Sequence, residues 1–581
     1  HEDMFFDFSF LPAVRPHLVP LAETEPSPFA PELGGRPVQD EDSQGADDQD
    51  AKKDAEPPAT VVDAYGITTR AVPFPVASGT YSDLAAVKGG VTWLAKPVNG
   101  DLGDTLAGSG QDQARPSLVR FDFAKREQLT VVDELDGYAV SGDGARLVVS
   151  DHGALSVRPA DKHDGDAKPE NVDLSRIRIT ISPLAEREQA FAEAWRLQIE
   201  NYFKPGLDGI DWKAARDRYA PLVAATATDD EFADLLWELQ GELRTSHAYV
   251  QAAQPPREDA RRQGLLGADL APDADGRWRI TGILPGDSSV PGARSPLLAP
   301  GVAARVGDAI VAVDGVEVPA LVGPAALLAG KAGQPTELRL QNTATGGEPR
   351  AVVVVPIADE VPLRYQAWVA DRRAHVLEKS GGRLGYLHLP DQAEPGWAEF
   401  HRDWRAQVAK DGVIVDTRGN RGGETSGLVV EKLMRRPIAW DYGRGEIPEP
   451  YPAYALRGPL VSVCDEESAS DGDIINQAFK DYGVTVVGAR TWGGVVGIDD
   501  FFGLVDGTLV TQPRFAFAFD SVGLYGLENH GCEPTVPVDF TPQDFVAGRD
   551  PQLDKAIEIA LDALGKEPPA APRPLPGVYE R

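Results

Sequence analysis

Residues 412–426, GVIVDTRGNRGGETS, and residues 460–473, LVSVCDEESASDGD, share one plan: a short apolar run, a loop of small and polar residues, then a helical pattern. Runs of four or five apolar residues bounded by turn signals read as strands buried on both faces. Upstream, residues 384–389 read as another strand, and residues 397–408 as a helix with Trp397, Phe400, Trp404 and Val408 on its inner side. This alternation of strand and helix predicts a mostly parallel sheet across residues 359–566, with functional groups on the loops at the strands' carboxyl ends.

Working outward, residues 259–358 read as a small β-rich module, with a strand at 278–284, the text VGDAIVAVDGVEV and a last apolar run at 351–355. Before it, residues 176–258 have helical periodicity. A helix is expected after Ser182 and Pro183 with Phe191, Trp195, Ile199 and Tyr202 on one face, ended by Lys204-Pro205-Gly206. A second is expected from Asp211 with Trp212, Ala215, Tyr219 and Leu222 inward. In a third, Thr228 and Glu231 form a capping box, Phe232, Leu235, Leu236 and Leu239 make the apolar stripe, and Gly241 serves as the C-cap. Residues 1–175 carry short, evenly spaced apolar segments that suggest propeller blades or a sandwich, too few to close a propeller. Residues 39–58, QDEDSQGADDQDAKKDAEPP, are acidic and lack aromatic and β-branched side chains, so they are expected to be a disordered insertion. Residues 567–581 form a Pro-rich tail.

The balance of 57 basic against 90 acidic residues, a net charge of −33, argues against nucleic acid or an anionic membrane as partner. No apolar run is long enough to span a bilayer, and the opening residues HEDMFFDFSF lack the basic and apolar regions of a signal peptide. Because the chain opens on His1, its true start is expected to be absent or processed. The two cysteines, Cys464 and Cys532, rule out a disulfide framework and paired-Cys zinc patterns, and are expected to be free thiols. No metal and no cofactor is expected.

Both loops open helices, where unpaired N–H groups and the helix dipole favour negative charge. A serine in one and glycines in the other suit acyl transfer, the serine attacking a carbonyl and glycine amides donating to the oxyanion. The base must be sought among nine histidines. His247, in the polar turn RTSHAYV directly after a helix, is the candidate, although a lone histidine is more often structural than catalytic.

The segment Gly307–Gly315, GDAIVAVDG, resembles PDZ domains, whose fold binds peptide termini by strand addition. The motifs RTSHAY, DTRGNRGG, SASDGD, RTWGGVVG and ENHGCEP occur in the order seen in tricorn proteases and their bacterial homologues, and the resemblance covers nearly the whole chain. It implies a multidomain α+β architecture: a partial β-propeller, a helical domain, a PDZ-like module and an α/β catalytic domain of crotonase/ClpP-like type, the last part of a longer family plan. It also implies Ser470 as nucleophile, His247 as general base, Ser246 and Glu528 completing a tetrad, and the amides of Gly423 and Asp471 as oxyanion donors. Gly422 and Asp441 are implied as substrate-binding, Asp441 as the acid associated with basic side chains at the cleavage position. Peptide substrates such as proteasome products, a homo-hexamer, downstream aminopeptidases and a cytoplasmic location complete what the resemblance implies.

Ser468 competes with Ser470 as nucleophile. The related C-terminal processing peptidases place their serine twelve residues before the tyrosine of a following Asp-Tyr-Gly, here Tyr482, which selects Ser470. Those relatives need a lysine where Gly494 stands, so no Ser-Lys dyad is available. Paired glycines at 422–423 also suit a plain tight turn, and Glu528 a solvated one. Two other classes stay open on sequence: a non-catalytic propeller/PDZ scaffold with a degenerate peptidase domain, and a crotonase-like acyl-CoA enzyme, for which no CoA-phosphate site is evident.

Overall fold

A computed structural model describes residues 14–24, 27–29, 60–97, 115–162, 168–253, 262–286, 294–342, 347–498 and 502–575. The acidic stretch 39–58 lies outside them. They fall into two compact units, one up to Ile179 and one from Thr180 onward. The architecture is multidomain α+β.

The first unit holds two four-stranded antiparallel sheets. One runs through Thr80–Val87, Gly90–Lys96, Ser117–Asp122 and Glu127–Val132, the other through Gly137–Val140, Arg146–Asp151, Ala154–Pro159 and Glu170–Asn171. Trp93 and Phe121, both fully buried, pack with Phe74 in the first sheet's core.

In the second unit, helices α1 (Pro183–Asn201), α2 (Trp212–Tyr219) and α3 (Asp229–Gly241) close a core around Phe191, Leu236 and Leu239. Four expectations need correction here. In α1 the buried stripe runs through Phe191, Ala194 and Leu197, leaving Ile199 exposed. After α2 the chain tightens into the 3₁₀ turn Ala220–Ala225, and its three-residue winding carries Val223 inward while Leu222 stays 47% exposed. Thr228 does cap α3, accepting from Glu231 N, but the Glu231 carboxylate takes the Ala227 amide, so the reciprocal half of a capping box is missing. Gly241 is the last helical residue, and the left-handed position falls at Arg244, with φ 53°.

The β-rich module is an antiparallel sheet in the order Ala268–Pro272, Trp278–Ile283, Ala309–Val313, Thr336–Gln341, Arg350–Val354. Gly307 and Gly315 both adopt positive φ around its Ala309–Val313 strand, as their turns require.

The five-stranded sheet of the α/β portion is wholly parallel: Leu384–His388, Gly412–Asp416, Leu460–Cys464, Thr485–Gly488 and Val536–Pro537 lie side by side in chain order. Strand alternation splits its side chains between two cores. Val413 and Val415 pack with α5 (Glu394–Val408), α6 (Ser426–Met434) and α7 (Asp471–Asp481). Ile414, Val461 and Val463 face α4 (Val361–Lys379) and the C-terminal helix Pro551–Lys566. The expected inner face of α5, Trp397, Phe400, Trp404 and Val408, is buried throughout.

The helical core and this α/β portion share structure. Strand Val250–Gln251, three residues past His247, pairs with Leu509–Val510, and Leu504 and Val510 join the helical core. This stitching brings residue 247 to the carboxyl ends of the parallel strands.

Phe400 is fully buried, stacked on Trp397 and Trp404. Truncating such a ring leaves a cavity, so Phe400→Ala is expected to cost about 3–5 kcal/mol, read as a lowered urea midpoint for the transition of the α/β portion.

Candidate active site

Ser470 is the N-cap residue of α7, a position where serine normally turns its hydroxyl onto the helix's own amides. Here it makes no such bond. Its backbone sits at φ 58°, ψ −118°, a conformation rare for a residue with a Cβ, and its Oγ lies 3.1 Å from His247 Nε2. A strained backbone costs on the order of 1–3 kcal/mol and persists only where the surroundings enforce it. His247, also at positive φ (59°), is pinned from behind: its carbonyl accepts from Thr511 Oγ1 at 2.6 Å, and that hydroxyl accepts from Tyr249 N at 2.7 Å.

The other face of the imidazole is equally determined. His247 Nδ1 lies 2.8 Å from Ser246 Oγ, and Ser246 Oγ donates to Glu528 Oε2 at 3.1 Å. A carboxylate only accepts, so the serine proton points at Glu528 and the serine oxygen is left to accept from Nδ1–H. Nε2 is then the bare nitrogen, facing Ser470. Glu528, 2% exposed, also takes Thr245 Oγ1 (3.0 Å), Ser246 N (2.7 Å), Val495 N (2.8 Å) and Val496 N (3.1 Å). Burial lowers the pKa of His247, partly offset by the negative Glu528. The ring is further walled by Trp492, edge-on at 5.8 Å between centroids.

The glycine loop meets the serine loop at van der Waals range. A Cβ on Gly422 would lie 2.5 Å from Ser470 Cβ, and one on Gly423 would overlap the Gln392 carbonyl. Both glycines have positive φ, 79° and 145°. Among the described residues neither Gly423 N nor Asp471 N donates a hydrogen bond, while Gly422 N is taken by Asn420 Oδ1 at 2.9 Å. The two loops are clamped by the Asp471 carboxylate, which accepts from Ser426 N at 2.9 Å and from Ser426 Oγ, and so caps α6 from α7. Burial pushes that carboxyl up to about 6, against the Ser426 bonds. Arg418, donating to Asp416 (2.6 Å) and Asp550 (3.0 Å), anchors the base of the glycine loop.

Ser470, His247, Ser246 and Glu528 thus form one hydrogen-bonded chain, with Gly422, Gly423 and Asp471 beside it. Asp441 is not part of it: it is exposed, on the hairpin strand Ala439–Asp441, and paired in register with Glu449, where a buried acid would be needed to grip a cationic side chain strongly. Ser468 is fully buried and donates to Thr417 O at 2.8 Å, which leaves it no part in the chain. Gly494 has no room for a side chain, since a Cβ would overlap the Trp492 ring and lie 2.9 Å from Ser246 Cβ. Sequence reasoning missed Thr245, Thr511 and Asp473. Asp473 stood in SASDGD, but nothing in the text separates it from an ordinary first-turn acid. Cys464 and Cys532 are free and buried, and burial pushes the Cys532 thiol up to about 12. The described residues contain no group of side chains arranged for a metal ion and no helix long and apolar enough to cross a membrane.

Three family models match the chain: the tricorn protease C1 domain over residues 183–241, the tricorn protease PDZ domain over 264–359 and peptidase family S41 over 383–538. Tricorn protease homolog 1 of Streptomyces coelicolor is 50% identical across 99% of this chain and 54% of its own length. The tricorn protease of Thermoplasma acidophilum is 31% identical across 96% of this chain and 50% of its own. The crystal structure of the tricorn protease superposes with a TM-score of 0.81 at 31% identity, over 95% of this chain and 51% of that one. The chain spans about half the length of these relatives. A shared fold alone would leave kinship open, but three family-domain matches and identity sustained along nearly the whole chain do not: the chain belongs to the tricorn protease family.

Proposed function

We propose that this chain is a serine peptidase that hydrolyses oligopeptides through Ser470, His247, Ser246 and Glu528. The observation that carries the reading is the unbroken run of hydrogen bonds from Ser470 Oγ through His247 and Ser246 to Glu528. His247 Nε2 takes the Ser470 proton as Oγ attacks the peptide carbonyl, and later returns it to the leaving amine. Nδ1–H stays on Ser246 throughout, and the Glu528 charge stabilises the imidazolium. Gly423 N and Asp471 N, unengaged and flanking the serine, receive the oxyanion, aided by the positive end of the α7 dipole. Water then hydrolyses the acyl-enzyme by the same proton route. Gly422, where a Cβ would lie 2.5 Å from Ser470 Cβ, leaves the substrate room beside the nucleophile.

Several finer points belong to the same proposal. The two four-stranded sheets of the first unit have the strand number of propeller blades and are read as the closing blades of one. A parallel sheet of crotonase/ClpP-like type, a homo-hexameric cage, a cytoplasmic setting, substrates such as proteasome products and downstream aminopeptidases follow from the family resemblance. Asp441 is read as favouring basic side chains at the cleavage position. The scaffold alternative gains no support from a site with each tetrad position hydrogen-bonded to the next.

Ser470→Ala is expected to abolish turnover of a fluorogenic peptide while leaving circular dichroism unchanged, and His247→Ala to match it because such groups act as a unit; retained activity in either refutes the assignment. Since a buried, lowered-pKa imidazole is neutral down to a lower pH, kcat/KM should be maximal above and fall as pH drops through a midpoint below 6.5. Glu528→Gln removes the charge that favours imidazolium, so the midpoint of any residual activity should move lower still, as a pH profile would read. Because Asp441 is exposed, Asp441→Asn should reduce the preference for Arg over Leu at the cleavage position by no more than about 5-fold, an effect that salt diminishes; a kcat/KM comparison of the two peptides checks it.

A further inference from the structure

Four consecutive amides, Gly493 to Val496, are held by two buried carboxylates from different parts of the site. Gly493 N and Gly494 N donate to Asp473 at 2.8 and 3.1 Å, while Val495 N and Val496 N donate to Glu528 at 2.8 and 3.1 Å. Thr491 Oγ1 adds a third donor to Asp473. Asp473 is fully buried, lies in the first turn of α7, and its own amide donates to Ser470 O at 2.9 Å. The held ribbon is also the surface on which the imidazole relay rests. Trp492 meets His247 edge-on, Trp492 N donates to Ser468 O at 3.0 Å, and Gly494 is packed against Ser246.

Ser470 and His247 come from segments more than two hundred residues apart, joined directly by one side-chain contact of 3.1 Å. A single contact of that kind does not fix a distance. A rigid connection must run around it, and the ribbon supplies one: nucleophile helix, Asp473, residues 491–496, Glu528, Ser246, His247. We propose that Asp473 is a positioning residue for the peptidase reaction, holding the 491–494 ribbon from the nucleophile's own helix and so setting the Ser470–His247 separation. This rests on the peptidase reading above. A buried carboxylate is costly unless its bonds are complete, and burial indeed pushes Asp473 up to about 6 despite its donors. An uncharged residue would cap α7 at less cost, so the retained charge points to the ribbon's three donors rather than to helix stability.

Asp473→Asn keeps the shape but turns an NH₂ group toward N–H donors, breaking part of the grip. The test measures kcat and KM on a fluorogenic peptide, with folded sites counted by fluorophosphonate titration, below the unfolding temperature and above the His247 titration. Displacement by a fraction of an ångström predicts a fall in kcat per titrated site of roughly 10- to 100-fold with KM within about 2-fold. A purely structural role would lower the Tm and the yield of sites but leave kcat per site within 2-fold of wild type, and that result overturns the proposal. Should Asp473→Asn not fold, Thr491→Val decides: it removes the hydroxyl that donates to Asp473 and accepts from Cys532 N at 2.7 Å, and a fall in kcat per titrated site of roughly 3- to 10-fold is expected, an unchanged kcat being contrary. Ser470→Ala is run alongside. If the wild-type chain shows no turnover that Ser470→Ala removes, the peptidase reading itself fails, an outcome distinct from a competent wild type with an unaffected Asp473→Asn.

Discussion

The arrangement depends on one carboxylate accepting hydrogen bonds from two places at once. Glu528 takes Thr245 and Ser246 from the turn that leaves the helical core, and Val495 and Val496 from a loop of the α/β portion. Neither segment could satisfy those groups alone, and a buried glutamate with fewer donors would be expensive. Five donors around one side chain make the junction of the two cores specific. They also orient Ser246, and through it the imidazole.

Each further feature resolves a conflict that this junction creates. Bringing a histidine from one core to a serine in the other demands positive φ at both His247 and Ser470, which the neighbouring bonds to Thr511 and the clamped loops sustain. Bringing two helix N-termini together puts their unpaired amides and dipoles side by side, and Asp471 relieves this by capping α6 with its side chain while its amide remains unengaged. Glycine at 422, 423 and 494 follows from the same crowding, since the Cβ would enter space held by Ser470, by Gln392, and by Trp492 with Ser246, respectively.

Much of this was legible in the sequence because its signals were local. Strand runs such as 412–416 and 460–464, the helix stripe of Phe232 to Leu239 and the two loops depend on near neighbours and periodicity. Errors arose where tertiary packing altered the winding. The 3₁₀ turn after Tyr219 moved Leu222 outward, and a helix running through Gly241 shifted the left-handed residue to Arg244. The joining of residues 246–247 to 470 and 528 has no local signal at all, and only the order of the motifs pointed to it. Asp473 and Thr511 were invisible for that reason: an acid in a first helical turn and a threonine just past the short strand Leu509–Val510 are commonplace until their partners are known. Asp441, which the family resemblance rather than the five ordered motifs implies, sits on an exposed hairpin.

In the proposed reaction Ser470 and His247 act on one carbonyl whose oxygen is received by the amides of Gly423 and Asp471. A peptidyl chloromethyl ketone tests it most directly, because such a reagent bonds to nucleophile and base together and leaves its oxygen where the oxyanion would be. The crystal structure of the adduct is expected to show bonds to Ser470 Oγ and His247 Nε2, with the oxygen within hydrogen-bonding distance of both amides. Attachment to any other side chain, or an oxygen turned away from those amides, would contradict it.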